Sequence, residues 1–382
     1  MHSFGDLGPN EPLIGVEGSR AALSTPALVL DLDRLERNIA HLAARTRESG
    51  HGLRPVAKIH KSIEIAKRQV AAGALGVCCA TLAEAEVMAN GGVPGVLLFS
   101  SVVSEPKIAR LATLNTHAKG LLVAVDNAAN VDQLAQAARS TGAPLQMLID
   151  FEVGGRRTGI VNEDAAIALA KHITEIEGAE FAGLQGYHGG LQNTPDYDER
   201  ARLQAACVAP LARLVERLSA NDLTPAIVTG GGSGTYEIDP PQGVLTENQA
   251  GTYIFMDVNY IDTAFEREMP HPFEVALFVR TTVISASNPG YVVTDAGLKE
   301  FAREELAPRI LSGPAAGALY ELIGDDLGRV TTKPGSPRPG VGEVLECVTP
   351  HCYATLNLYN AYHCVRGDTL VDIWPIDARA QW

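Results

Sequence analysis

The stretch GLLVAVDNAANVDQLAQAARSTGAPLQMLID, residues 120–150, carries the pattern that decides the fold. Two short apolar runs, GLLVAV and LQMLID, flank a segment that begins near Asn127 and ends at Gly142, as helix caps require. Continuous apolar strands that alternate with helices are typical of parallel strands buried on both faces and joined by right-handed crossovers. The stretch therefore predicts one βαβ unit.

The same alternation continues to about residue 265. Helix-like segments follow most of the other apolar runs, which are ALVLDL, LRPVAK, GVCCAT, GVLLFS, AGLQGY, AIVTGG and TYIFMD. Nine runs in all fit a closed eight-stranded barrel with one strand to spare better than they fit an open sheet. We predict a TIM-type (α/β)8 barrel over residues 1–265.

The rhythm changes after this point. The segments FEVALFVRTTVISAS, GYVVTDAG, GEVLECVTP, HCVRG and TLVDIWPI have few helical segments between them, and Gly or Pro separates several. This pattern predicts a smaller antiparallel β-domain over residues 266–382, with the boundary at EREMPHPFE. The Pro- and Gly-rich stretch at 325–343 has no apolar run and is predicted to be a surface loop.

The composition restricts the partners. A net charge of −14 argues against nucleic acid and anionic membrane surfaces and favours a small-molecule substrate. The N-terminal residues show no basic segment followed by an apolar run, and no stretch is long enough to span a membrane, so we expect a cytoplasmic protein. The six cysteines include no C-x-x-C pair, so a disulfide framework is not expected, and Cys78 and Cys79 are predicted to be core residues.

The most informative local motif is LRPVAKIHKS, residues 53–62. Lys58 ends an apolar strand just before His60, Lys61 and the predicted helix cap Ser62. In a barrel the carboxyl ends of the strands form the catalytic face. Burial and neighbouring cations lower the pKa of a lysine there toward the free amine that Schiff-base chemistry needs. The alternative is a solvated basic turn.

A glycine-rich loop, IVTGGGSGTYE, follows another apolar strand at residues 227–237. Its backbone N–H groups, assisted by the hydroxyl of Thr229, Ser233 or Thr235, suit a phosphate group. The loop has neither the Gly-Lys-Ser/Thr of a Walker motif nor the spacing of a dinucleotide fingerprint. The alternative is a flexible turn.

Two other strand ends carry polar groups. In GLQGYHGG, the side chains of Gln185, Tyr187 and His188 either line a pocket or form a structural Tyr–His pair. In DFEVGGRRTG, Arg157 either pairs with an anionic substrate or cofactor oxygen or is a surface arginine.

One motif of the second domain, TPHCYATLNLYN, contains His351 and Cys352. Adjacent side chains on an extended backbone point to opposite sides, so these two are poorly placed to bind one metal together.

Taken together, these motifs resemble the D-threonine aldolase and D-serine dehydratase group of pyridoxal-phosphate enzymes, whose N-terminal domain has the alanine racemase barrel. The joint order and spacing of the motifs carry the resemblance. It runs from TPALVLDLDRLERNI through LRPVAKIHKS, TLAEAEVMANGG, RRTGI, GLQGYHGG, TGGGSGTY, AGTYIFMD and VTDAGLK to VDIWPIDAR, which is almost the whole chain.

The resemblance implies that Lys58 holds pyridoxal phosphate as a Schiff base and that Arg157 and Tyr187 lie near the cofactor or substrate. It implies that Tyr253 approaches the phosphate side of the cofactor. It also places Asp295 in a motif of the family, and the sequence does not indicate the role of that residue. It also implies a homodimer, an active site between the barrel mouth and the second domain, and a strand at 25–33 that joins the β-domain. The residues implied to hold the phosphate are Thr229, Gly231, Gly232, Ser233 and Gly234.

The reaction implied is retro-aldol cleavage of a D-β-hydroxy-α-amino acid to glycine and an aldehyde, as in D-threonine aldolase or 3-hydroxy-D-aspartate aldolase. The alternatives are a β-eliminating D-serine or hydroxyaspartate dehydratase and a metal-independent amino-acid racemase. A non-catalytic pyridoxal-phosphate-binding protein is a further alternative, against which the large second domain argues.

Three positions depart from the pattern of the group. Its aldolases and dehydratases place a divalent metal (Mn, Mg or Zn) near the β-hydroxyl as a Lewis acid, bound by His-x-Asp or His-x-Cys. Here His351 keeps its place as catalytic and metal-binding candidate, but Tyr353 replaces the second ligand, and a tyrosine must first lose a proton with a pKa of about 10. Asn193 and Val56 stand where relatives have His. The three changes predict an altered substrate or reaction, or a metal held differently.

Overall fold

The computed structural model describes residues 7–379, so the predicted domain ends at 1–6 and 380–382 lie outside the described residues. By their internal contacts the described residues form two compact units. The barrel unit contains residues 40–251 and 263–272, and the β-unit contains residues 7–39, 252–262 and 273–379.

The helices and strands have the following bounds. The α-helices are α1 Ser19–Ala22, α2 Leu32–Ser49, α3 Ile63–Ala71, α4 Leu82–Asn90, α5 Glu105–Asn115, α6 Ala128–Thr141, α7 Glu163–Glu175, α8 Tyr197–Ser219 and α9 Cys352–Leu356. The strands of the barrel unit are β2 Gly52–Leu53, β3 Cys78–Cys79, β4 Leu97–Leu98, β5 Leu122–Val125, β6 Leu145–Asp150, β7 Ala179–Gly186, β8 Ile227–Gly230 and β9 Glu247–Asn248. The strands of the β-unit are β1 Ala27–Asp31, β10 Leu277–Ser285, β11 Val292–Thr294, β12 Arg309–Ile310, β13 Leu319–Leu322, β14 Gly328–Thr331, β15 Val344–Val348, β16 Ala361–Arg366 and β17 Thr369–Pro375.

The barrel unit is built on a parallel sheet of eight strands, in the order β2-β9-β8-β7-β6-β5-β4-β3. A parallel bridge between Val56 and Cys78 joins its two ends, and the Leu75 amide donates to the Leu53 carbonyl at 2.8 Å beside it. Strands that follow one another along the chain are therefore neighbours around a closed barrel, as crossover geometry favours. The predicted TIM-type fold is confirmed.

The quoted stretch folds as its sequence predicts. Asn127 caps α6, with its side chain accepting a hydrogen bond from the Asn130 amide, and Gly142 ends the helix at φ 72°. β5 and β6 on either side pair in parallel register. Fully buried residues line the barrel interior, among them Cys78 of β3 and Leu148 of β6, and burial raises the pKa of the Cys78 thiol. The prediction of Cys78 as a core residue is confirmed.

One predicted strand is wrong. TYIFMD contains a 3-10 helix at Thr252–Ile254, and the last barrel strand is β9, a polar pair that no apolar run predicts. Glu247 is buried in β9 because Arg54 donates two hydrogen bonds to its carboxylate, at 2.8 and 2.9 Å. A charged residue becomes compatible with a buried strand when its partner neutralises it.

The β-unit is built on a mostly antiparallel sheet of nine strands, in the order β11-β14-β13-β12-β15-β10-β1-β16-β17. β1 pairs antiparallel with β10 and parallel with β16. Asp295 accepts hydrogen bonds from the Thr25 and Thr281 hydroxyls at 2.6 Å and from the Thr282 amide at 2.7 Å. Asp295 therefore ties the segment before β1 to β10, which gives this motif a structural role.

The loop predicted at 325–343 is only partly a loop. It contains β14, which pairs with β11 and β13 in antiparallel register. Val330 is fully buried there, and at Gly328 a Cβ atom would lie 2.2 Å from the Tyr320 hydroxyl. β14 was not predicted because a short strand with one buried apolar residue gives no apolar run in the sequence.

Within residues 7–379, none of the helices is long and apolar enough to cross a membrane.

Candidate active site

Lys58 does not end a strand as predicted: β2 ends at Leu53, and Lys58 lies in the 3-10 helix Ala57–Ile59 that follows. It is half-buried, and its Nζ atom is 5.7 Å from the centre of the Phe99 ring. Burial lowers the pKa of Lys58, the Arg157 guanidinium lowers it further, and the Glu84 carboxylate opposes both effects. The amine is therefore more readily deprotonated than that of a solvated lysine, as nucleophilic attack on a carbonyl requires.

Arg157 and Tyr187 share this environment. The Arg157 guanidinium lies 5.7 Å from the Phe99 ring and 5.2 Å from the Tyr187 ring. Burial raises the pKa of Tyr187 although Arg157 opposes the shift, so its phenol stays neutral. The structure thus brings three predicted residues together: Lys58 and Arg157 lie over the Phe99 ring, and Arg157 also lies over the Tyr187 ring. The sequence analysis missed Phe99. Its place at the end of the GVLLFS run, on the catalytic face of a barrel, would have identified it.

The residues after Lys58 carry less unpaired positive charge than their sequence suggests. Burial lowers the pKa of His60 to about 3, so its imidazole is neutral and accepts a hydrogen bond from the Ser62 amide. Lys61 forms an ion pair with Glu84 at 3.8 Å. Ser62 stands at the N-cap of α3 but makes no side-chain cap hydrogen bond. The cation that acts on Lys58 is Arg157, which is distant in sequence.

A layer of buried polar side chains crosses the barrel at the same strand ends. Gln185 donates to Asp150 Oδ1 at 2.9 Å and to the Phe99 carbonyl at 3.1 Å. Gln249 donates to Gln185 Oε1 at 3.4 Å and to Thr229 Oγ1 at 3.1 Å. These hydrogen bonds link the ends of β4, β6, β7 and β8. They hold Phe99 in place and put the Thr229 hydroxyl, predicted to bind phosphate, into a buried hydrogen bond.

The glycine-rich loop follows β8 at the same end of the barrel. Its glycines are packed too closely for any side chain: a Cβ atom at Gly232 would lie 2.6 Å from Gln192 Oε1, and one at Gly234 would lie 1.8 Å from the Gln192 carbonyl oxygen. The Gly234 amide donates to Gln192 Oε1 at 3.1 Å, and the Ser233 hydroxyl accepts from the Gly251 amide at 3.1 Å. Gln192 is thus a second residue that the sequence analysis missed.

A buried arginine holds the far end of this loop. Arg200 of α8 is fully buried, and its Nε atom donates to the Gly234 carbonyl at 2.6 Å. Its other nitrogen atoms donate to the carbonyls of Thr194 and Ala264. The loop is therefore held by side chains from several elements, as a pre-organised anion site requires.

The other predicted residues belong to the β-unit. Tyr253 is fully buried, with its ring 5.7 Å from that of Phe273. His351 is the N-cap residue of α9, and its Nδ1 atom lies 3.2 Å from Glu304 Oε1. The Tyr353 ring packs edge-on against the His351 ring at 4.6 Å, and its hydroxyl lies 3.4 Å from Thr252 Oγ1.

The surroundings of His351 do not form a metal-binding set. Cys352 is fully buried, and burial raises the pKa of its thiol, which disfavours a thiolate ligand. Over residues 7–379, three or more His, Cys, Asp and Glu side chains never come together in a way that could hold a metal ion.

The barrel unit offers an amine of lowered pKa, a guanidinium and a glycine-rich loop with a serine hydroxyl, all at the carboxyl ends of its strands. An amine condenses with an aldehyde, and a closely packed backbone loop with a hydroxyl suits a phosphate. These residues fit a ligand that carries both groups.

Comparisons with known proteins agree in family and in fold. The family model described as "Alanine racemase, N-terminal domain" matches residues 30–259, and a model of a serine dehydratase domain matches residues 276–365. The chain is 39% identical over 373 residues to a D-threonine aldolase of Arthrobacter sp., with 97% of this chain and 95% of that protein covered. It is 33% identical over 363 residues to a 3-hydroxy-D-aspartate aldolase of Paracoccus denitrificans (strain Pd 1222), covering 94% and 93%.

A solved structure gives the same picture. The crystal structure of D-threonine aldolase from Filomicrobium marinum superimposes with a TM-score of 0.90 at 36% sequence identity. The match covers 94% of this chain and 96% of that one, so the similarity extends through both units.

Proposed function

This chain belongs to the family of the alanine racemase N-terminal domain, as the resemblance of its motifs indicated, and we propose that it is a pyridoxal-phosphate-dependent lyase. Its substrate class is the D-β-hydroxy-α-amino acids, which it cleaves between Cα and Cβ to glycine and an aldehyde. The observation that carries the proposal is the Lys58 amine of lowered pKa, beside Arg157, in a chain that aligns with aldolases over nearly its full length.

The residues of the barrel unit fit pyridoxal phosphate. Lys58 would hold its aldehyde carbon, and the loop that contains Gly231, Gly232, Ser233 and Gly234 would hold its phosphate. When bound, this cofactor draws electrons out of the bond that breaks at Cα.

Arg157 has two tasks in this proposal. Burial lowers the pKa of Lys58 and the charge of Arg157 lowers it further, while the guanidinium lies over the rings of Phe99 and Tyr187. A planar guanidinium held by two rings is well suited to bind a carboxylate or a phenolic oxygen at its edge. Arg157 would therefore orient the ligand that Lys58 holds.

Aldol cleavage also needs a base for the β-hydroxyl. The hydroxyl loses its proton, its oxygen forms the aldehyde carbonyl, the Cα–Cβ bond breaks, and a proton added at Cα gives glycine. We assign the first proton transfer to His351, because a proton on Nδ1, shared with Glu304, leaves the Nε2 lone pair as the acceptor. His351→Asn should then lower kcat by roughly 10²- to 10⁴-fold. An unchanged kcat would remove His351 from the mechanism.

No step of this mechanism passes through a metal ion. The reason is the set of residues beside His351: Tyr353 replaces the expected second ligand, and the Cys352 thiol is buried in its protonated form. Activity with and without EDTA, together with the metal content of the purified protein, tests this point.

The function is tested by product analysis. Purified protein reconstituted with pyridoxal phosphate is incubated with D-threonine, D-3-hydroxyaspartate or D-serine. Glycine with an aldehyde supports the proposal, whereas ammonia with a 2-oxo acid identifies a dehydratase and loss of optical activity alone identifies a racemase. Bound cofactor without any turnover would identify a binding protein.

The matched control concerns the lysine. Lys58→Ala should abolish turnover and the visible absorbance of the bound cofactor, while Lys67→Ala, an exposed lysine of α3, should leave both unchanged. A Lys58→Ala protein that keeps both properties would contradict the proposal.

A further inference from the structure

Asp239 is a buried carboxylate beneath the glycine-rich loop, and the mechanism above does not use it. Only 1% of its surface is exposed. Its Oδ1 atom accepts a hydrogen bond from Gln204 at 2.6 Å, and its Oδ2 atom accepts from Thr235 and Asn248 at 2.8 Å each. One side chain thus joins helix α8, the loop itself and strand β9.

The hydrogen bond from Thr235 to Asp239 orients the Thr235 hydroxyl toward the loop backbone. A hydroxyl has one proton, and because Thr235 donates it to Asp239, its lone pairs can face the Gly232 amide, which donates to Thr235 Oγ1 at 3.0 Å. The Gly232 carbonyl accepts from Asn248 Nδ2 at 3.3 Å. Both backbone groups of Gly232 are therefore fixed by residues that Asp239 orients.

The carboxylate also touches the loop directly. Gly231 has a φ of +62°, and a Cβ atom built there would lie 2.0 Å from Asp239 Oδ2 and 2.6 Å from Asn248 Nδ2. The loop backbone therefore packs on the carboxylate itself, and a residue with a side chain at this position would displace it.

This carboxylate is costly to bury. Burial raises the pKa of Asp239 to about 7, although the hydrogen bonds from Thr235, Gln204 and Asn248 oppose the shift. A buried acid packed against a glycine-rich loop, with three side chains arranged around it, is typical of a functional site rather than of a core that only needs stability.

We propose that Asp239 is a positioning residue that fixes the backbone of Gly231 and Gly232 in the geometry that receives the cofactor phosphate. It acts through Thr235 and Asn248 and does not touch the ligand. The inference rests on the proposed function, because it assigns this loop to the phosphate of pyridoxal phosphate.

The test compares two probes that differ only in the phosphate. Dissociation constants of pyridoxal phosphate and pyridoxal are measured for the wild-type apoprotein, Asp239→Ala and Asp239→Asn. In Asp239→Ala the affinity for pyridoxal phosphate should fall about tenfold or more, by analogy with residues that orient the ligands of a metal ion, while the affinity for pyridoxal changes about twofold at most. Asp239→Asn keeps one acceptor oxygen for Thr235 and Asn248, so its affinity for pyridoxal phosphate should lie between those of the wild type and Asp239→Ala.

Two further variants separate positioning from folding. Gln204→Met removes the donor from α8 without touching the loop and should also reduce the selectivity for the phosphate, which keeps the proposal testable if Asp239→Ala does not fold. Asp295→Asn, which alters a three-donor carboxylate of the β-unit, should leave the ratio of the two dissociation constants unchanged.

The outcomes are distinct. A wild-type protein that binds neither probe refutes the proposed function. A wild-type protein that prefers pyridoxal phosphate, with Asp239→Ala and Gln204→Met showing the same preference, refutes the positioning role alone.

Discussion

At the scale of single residues, the environment of Lys58 explains its chemistry better than its own sequence neighbours do. His60 is neutral and Lys61 is paired with Glu84, so neither supplies the charge that the basic motif suggests. Arg157, which lies on the same Phe99 ring, supplies it instead. A buried amine beside a permanent cation loses its proton more easily.

This leads to a prediction for Arg157→Met. Removing the guanidinium should raise the pKa of Lys58, so that less free amine is present near neutral pH. Capture of pyridoxal phosphate by the apoprotein should slow by roughly two- to tenfold there and recover at higher pH. The measurement is the midpoint of the pH profile of the capture rate.

The neighbouring Arg156 provides the control. It is exposed and is not among the charges that shift the pKa of Lys58. Arg156→Met should leave the midpoint of the pH profile in place. The electrostatic explanation fails if the midpoints of Arg157→Met and wild type coincide.

At the scale of elements, a buried ion pair supports the pairing of the first and last strands of the barrel. β2 and β9 are each two residues long, and they are joined by the buried ion pair of Arg54 and Glu247. Burial alone would lower the pKa of Arg54, but the Glu247 carboxylate raises it overall, so the buried Arg54 guanidinium keeps its charge. Arg54 also donates to the Gly95 carbonyl, which anchors the loop before β4.

We expect Glu247→Leu to destabilise the apoprotein by about 3–5 kcal/mol, because it leaves the Arg54 charge buried without its partner. Arg54→Met should cost a similar amount. The double variant should lose clearly less than the sum, since an apolar pair needs no desolvation of charge. Urea unfolding of the four proteins measures this, and strictly additive losses would show that the two side chains do not interact.

At the scale of the whole molecule, stability should depend on pH through buried carboxyls. Asp257 of the β-unit is fully buried, and burial raises its pKa from 3.8 to about 6 although the Cys352 amide opposes the shift. Because the folded pKa is above the unfolded one, the unfolded chain loses its proton first as pH rises. The contribution of the protonated Asp257 carboxyl to the free energy of unfolding is thus fully present below pH 3.8 and is lost as pH rises through about 6.

Asp257→Asn should lack this dependence. Relative to the wild type, its free energy of unfolding should improve by about 3 kcal/mol between about pH 4 and about pH 7. Urea unfolding of both apoproteins at these two pH values gives the difference. A constant difference across this range would show that Asp257 does not titrate as a buried acid.

Much of this molecule follows from patterns that are local in sequence. The strands and helices of 120–150, with their caps at Asn127 and Gly142, were predicted because periodicity and capping act within a few residues. The barrel followed from repetition of that unit, and the family followed from the order of the motifs. Lys58, Arg157, Tyr187 and the glycine-rich loop became candidates because each follows a predicted strand, and the resemblance carried by the order of the motifs assigned them to the cofactor.

The tertiary structure alone decided which distant groups meet. β9 is polar and was missed because its burial depends on partners outside the strand, Arg54 for Glu247 and Asp239 for Asn248. Phe99 and Asp239 acquire their roles from partners on several other elements. The physical reason is range: side-chain periodicity and caps are encoded by neighbours along the chain, whereas buried charge and ring contacts depend on pairs that only the closed barrel brings together.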